Sequence, residues 1–169
     1  MLDIFQAQPL FNFMNIKKAS ERDVSKIIEL IREFAEYEKL SNYCEITEEK
    51  LLDAMFGEKK IIECLVCFEV ENLVAYALFY PNFSSFRGQR GIYLEDIYLK
   101  PECRGKKIGE AMLREIARHG KEIGAVRMDF QVLDWNEPAI KFYQKLGAVK
   151  DEDERHFKFT DEAFRNLAE

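Results

Sequence analysis

LEDIYLKPECRGKKIG, residues 94–109, places two adjacent carboxylates in an apolar run, then a proline, then basic residues threaded between two glycines. Residues 91–99 have the aromatic and β-branched content of a strand, which ends at Lys100-Pro101 because proline cannot continue a ladder. From about Gly105 to Glu122, Ile108, Met112, Leu113, Ile116 and Ala117 recur at helical spacing, and Gly124 ends the run. A helix N-terminus carries unpaired N–H groups and about half a positive charge. An anion at residues 104–109 is therefore held first by backbone and then by Arg104, Lys106 and Lys107. Gly105 and Gly109 permit close approach, which suits a diphosphate. Neither GxGxxG nor a P-loop lysine followed by Ser or Thr is present, and a solvated basic helix start explains the turn equally well on its own.

Outward from this turn, strand and helix patterns alternate. Residues 16–19 form a short strand, and Ser20 with Asp23 then starts a helix carrying Val24, Ile27, Ile28, Leu30, Ile31, Phe34 and Ala35. A second helix opens at Thr47 and stops at Gly57. Strands at 61–70 and 73–80 flank a tight turn at Glu71-Asn72. After the 105–122 helix come a strand at 126–133, a helix with Pro138 in its first turn that closes at Gly147, and a last strand at 155–159. The order β, α, α, three strands, α, β, α, β predicts a mixed α/β sheet flanked by helices, in one domain spanning 15–169 after an extension at 1–14.

A length of 169 residues with 47% hydrophobic content supports one sizeable core. The formal charge of −6 disfavours nucleic acid and anionic membrane and suits a cationic partner. No apolar run reaches the roughly 18 residues that span a bilayer. Asp3 and Pro9 disfavour a signal peptide, so a cytoplasmic location is expected. Cys64 and Cys67 lie on a strand, where residues three apart face opposite ways, so they read as buried free thiols. His119 and His156 fall in no ligand cluster, and no metal is expected.

Arg104-Gly105-Lys106-Lys107-Ile108-Gly109 resembles the phosphate-binding motif of the Gcn5-related N-acetyltransferases, with Lys107 where the middle glycine usually stands. IYLEDIYLKPECRGKKIG together with VLDWNEPAIKFYQKLGA is similar to the diamine (spermidine/spermine) acetyltransferases and their thialysine-acetylating relatives. The resemblance covers nearly all of residues 15–160. It implies a mostly antiparallel sheet with a splayed slot for acetyl-CoA, a small amine as acceptor and a homodimer. It implies cofactor contacts from the backbone of Ile97, Tyr98 and Leu99, from residues 104–109 and Glu110, and from Asn136 and Tyr143. Tyr37, Glu38, Glu95, Asp96, Asp129, Phe130 and Gln131 are implied around the acceptor.

Acetyl transfer to an amine first requires a proton to leave. With a pKa near 10.4, about one alkylammonium in 2,500 is nucleophilic at pH 7, a deficit of roughly 4.6 kcal/mol. An acid beside the amine can take that proton through water. The resemblance gives this role to Glu95, and to Tyr143 that of proton donor to the leaving thiolate. From spacing alone Tyr143 is helix packing and Asn136 a helix cap. In a regular strand Leu94 and Asp96 share one side while Tyr93, Glu95 and Ile97 share the other, so at most one acid faces a given cleft. Ser85 stands where polyamine-acetylating members carry an acid, as in the thialysine type, while Asp151–Glu154 is either solvated surface or a compensating acidic segment. A non-catalytic binder of acyl-CoA or polyamine, and an acetyltransferase for protein N-termini or lysines, remain as alternatives.

Overall fold

Short-range signals set the helix starts. The Ser20 amide and hydroxyl both donate to Asp23 Oδ2, at 2.9 and 2.8 Å, closing the expected capping box ahead of α1 (Val24–Tyr37). Burial alone would raise the Asp23 carboxyl, but these bonds and the nearby Lys17 outweigh it and hold it below its ordinary range. Thr47 Oγ1 accepts from the Lys50 amide at 3.2 Å and starts α2 (Glu48–Phe56). The computed structural model describes residues 14–169, so the extension expected at 1–14 lies outside the described residues except for Met14, which opens β1 (Met14–Lys18).

Chain contacts divide the protein into two compact units, Met1–Gln131 and Val132–Glu169. The first holds a five-stranded sheet in the order β1, β2 (Glu63–Glu69), β3 (Asn72–Ser84), β4 (Gln89–Leu99) and β5 (Ala125–Asp129). All neighbours are antiparallel except β4 and β5, which run parallel. On one face, α1 and α2 bury Ile27, Leu30, Leu51 and Met55 with Cys64, Val66, Tyr76, Leu78 and Tyr98 of the sheet. On the other, α3 (Ile108–Glu122) buries Ile108, Met112 and Ile116 with Leu65, Cys67, Phe79, Ile92 and Leu94. Cys64 and Cys67 thus lie in opposite layers as buried free thiols, with burial pushing their pKa values to about 12 and about 11. No helix among the described residues is long and apolar enough to cross a membrane.

The second unit contains α4 (Glu137–Lys145) and α5 (Asp161–Leu167). The strand expected at 155–159 is absent: these residues are irregular and exposed and join no described ladder, and an exposed backbone can bond water in place of a neighbouring strand. The β2–β3 turn also departs from expectation. Glu69 pairs with Asn72, so the turn residues are Val70-Glu71, and Val70 takes φ +60°. A β-branched side chain is strained there by about 1–2 kcal/mol. Val70 is exposed, so Val70→Asn is expected to raise Tm by roughly 2–4 °C in a melting experiment; a fall would show that the valine makes a contact worth more than the strain.

Candidate functional site

The decisive local feature lies in β4. Leu78 of β3 pairs with Asp96, whereas the next residue, Phe79, pairs with Leu94. Glu95 is therefore an extra residue without a cross-strand partner, a β-bulge. The two layers record its effect: Ile92 and Leu94 pack on the α3 side, Ile97 and Leu99 pack there too, and Tyr98 packs on the α1 side. The alternation flips at residue 95. Contrary to the alternation expected for a regular strand, Leu94 and Asp96 lie on opposite sides, while Glu95 and Asp96 together line one cleft.

That cleft encloses about 560 Å³, in the range of small-molecule sites. Ile31, Phe34 and Ala35 of α1 and Leu40 and Ile46 supply apolar wall, and Glu38, Glu45, Glu95, Asp96 and Lys50 supply charge. Burial raises the Glu38 carboxyl above its ordinary range. Asp96 goes further, to about 6: burial is the main cause and the Glu95 charge adds to it, against a hydrogen bond from Tyr76, with Glu38 contributing again in the raising direction. Tyr76 is wholly buried, and its Oη donates to Asp96 Oδ2 at 3.4 Å. Burial first, then Asp96, pushes that phenol well above its ordinary value, so it keeps its proton throughout the working pH range. Tyr80 Oη donates to Glu95 Oε2 at 3.5 Å, and its ring stacks on Tyr93 at 5.2 Å.

The sequence reading missed Tyr76, Glu45 and Lys50. A lone phenol in the aliphatic run LVAYALF was a usable signal, since a buried hydroxyl requires a partner. For Glu45 and Lys50 no local signal exists; only the tertiary placement of α2 and of the segment before it brings them to this cleft. Of the expected acceptor residues, Glu38, Glu95 and Asp96 line it. Tyr37, Asp129, Phe130 and Gln131 do not. Asp129 ends β5, with Asn82 Nδ2 at 3.0 Å and Arg127 beside its carboxylate. Phe130 packs with the α3-side layer, and Gln131 closes the first unit.

The residues expected to hold a diphosphate fit one in their backbone. Gly105 has φ +76° with nothing within 4 Å of where a Cβ would stand, and Lys107 has φ +63° at the cap of α3. Two left-handed residues thus turn the chain into the start of a 15-residue helix, whose positive end lies at this loop. The side chains are less free. Arg104 stacks over the Tyr37 ring at 4.7 Å and donates Nε to the Leu99 carbonyl at 3.4 Å; Lys106 pairs with Glu69 at 3.1 Å. Glu110 binds Arg114 one turn along α3, and Ile108 anchors the helix start in the core. The ladder between β4 and β5 ends at Tyr93 and Asp129, so Ile97, Tyr98 and Leu99 are laddered to β3 and lie beyond the last β5 pair. Such an edge accepts an extended ligand with amide groups. Tyr98 turns its side chain to α1, where Oη donates to Glu33 at 3.3 Å.

In the second unit, Asn136 Oδ1 accepts from the Ala139 amide at 3.3 Å and caps α4. Tyr143 lies on that helix with its ring 5.2 Å from Phe142.

Comparisons with known proteins add to this geometry. Residues 25–148 match the model of the "Acetyltransferase (GNAT) family". A thialysine N-epsilon-acetyltransferase from Bos taurus is 41% identical over 92% of this chain and 98% of its own length. An L-ornithine N5-acetyltransferase from Arabidopsis thaliana is 33% identical over 56% of this chain and 42% of its own. A crystal structure of an aminoglycoside acetyltransferase from an uncultured soil metagenomic sample superposes with a TM-score of 0.76, covering 91% of this chain and all of that one at 19% identity.

Proposed function

The chain belongs to the acetyltransferase (GNAT) family and is an N-acetyltransferase; from that premise, we propose that it acetylates a primary amine of a small diamine or aminoalkyl amino acid. The observation that carries this reading is the bulge at Glu95, which turns two successive carboxylates into a cleft with apolar walls. An alkylammonium suits that cleft: its methylene stem covers apolar wall while its charge meets acid.

Acetyl-CoA, when bound, supplies the acetyl group as a thioester. In this reading the backbone at 104–109 and the first turn of α3 hold its diphosphate, and the stretch of β4 beyond the last β5 pair, at Ile97, Tyr98 and Leu99, aligns its arm, with Asn136 as a further contact. Glu95 takes the ammonium proton through water. Asp96 neutralises the substrate charge, and Tyr76 fixes its carboxyl by donating to Oδ2. Tyr143 holds a phenolic proton for the departing sulfur. Ser85, where a polyamine enzyme of this kind carries an acid, favours short acceptors over spermine.

The test is free-CoA release with thialysine, ornithine, lysine, 1,4-diaminobutane, spermidine and a lysine peptide. Release is expected with the short amines and least with the peptide. Silence across all the small amines removes the proposal, and release with the peptide alone replaces it by protein acetylation.

A further inference from the structure

The cleft is not uniformly acidic. Among the described residues that line it, Lys50 is the only cation, set among Glu38, Glu45, Glu95 and Asp96. It is tied at both ends: its backbone N–H donates to Thr47 Oγ1, the cap of α2, and Nζ donates to the Glu45 carbonyl at 3.1 Å. One donor of the ammonium is thereby used, leaving two for a ligand.

For a diamine this lysine is a liability, because it repels a dication that the carboxylates attract. For an α-amino acid it is an asset. Such an acceptor carries a carboxylate and an ammonium on one carbon and a second ammonium at the end of its side chain. We propose that Lys50 binds the α-carboxylate and Glu45 the α-ammonium of an aminoalkyl amino acid whose distal amine reaches the Glu95–Asp96 bulge. The acceptor then carries a zwitterionic head and a cationic tail, and Lys50 is a specificity residue. This rests on the acetyltransferase reading above. It also accords with the acceptors named for the two relatives, thialysine and ornithine, both amino acids with an amine at the side-chain end.

The experiment compares thialysine with its decarboxylated counterpart, bis(2-aminoethyl) sulfide, in the native chain, Lys50→Met and Lys50→Arg. Native enzyme prefers thialysine. Lys50→Met lowers kcat/KM for thialysine by about tenfold to a hundredfold, the usual range for a charge-assisted hydrogen bond, with the change in KM. The same substitution raises kcat/KM for the diamine, since a repelling charge has gone, and this also shows that the variant is folded. Lys50→Arg restores much of the thialysine activity. Equal effects on both acceptors, or none on either, overturn the assignment to Lys50 while leaving the acetyltransferase reading intact. A native enzyme that acetylates neither overturns both.

Discussion

Tyr143→Phe is expected to slow acetyl transfer by about 10²- to 10⁴-fold. The substitution removes one oxygen and keeps the ring whose centroid lies 5.2 Å from Phe142, so that ring contact on α4 is retained. A phenol beside the sulfur can give up its proton as the thiolate leaves. The loss should therefore fall on kcat, with KM for acetyl-CoA little moved. Full turnover in the variant would take Tyr143 out of the mechanism, and a lost affinity for acetyl-CoA with normal kcat would recast it as a binding residue.

Asp96→Asn is expected to act in two directions at once. The Asp96 carboxyl, facing Glu95 on its own strand, Glu38 at the end of α1 and Tyr76 on β3, titrates at about 6 in the fold against about 3.8 in the unfolded chain. The raised value means the folded state prefers the protonated form. Its stabilising contribution is complete below about pH 3.8 and disappears as pH rises through about 6. At pH 7 the ionised carboxylate costs on the order of 2 kcal/mol after its partial exposure is allowed for. Removing the charge should raise Tm at pH 7 by roughly 4–8 °C, with little gain at pH 4. Activity should move the other way: kcat/KM of the native enzyme falls as pH drops through about 6, and the variant loses that limb along with about tenfold to a hundredfold of its rate. A variant equally fast and no more stable would sink both assignments.

These two carboxylates mark the boundary of what the sequence could disclose. The caps at Ser20, Thr47 and Asn136, the opposed thiols of Cys64 and Cys67 and the glycine turn ahead of α3 all rest on neighbours within a few residues, and all could be read from the chain alone. The bulge could not. It exists because Phe79 pairs with Leu94 while Leu78 pairs with Asp96, a relation between strands that no local periodicity records. The same holds for Lys50, brought to the cleft by α2 packing from 45 positions before Glu95. Residues 155–159 fail in the reverse sense: the alternation of His156, Phe157, Lys158 and Phe159 is strand-like, but a strand exists only in a ladder, and these residues join none.

The unpaired position in β4 also separates two kinds of selection. A regular strand that turned two successive side chains toward a ligand would have to surrender an inward aliphatic from one layer. Here Leu94 and Ile97 both keep their seats beneath α3 while Glu95 and Asp96 serve the opposite side. The side chain at residue 95 can therefore be exchanged for another carboxylate, an amide or a hydroxyl with the hydrophobic layers untouched.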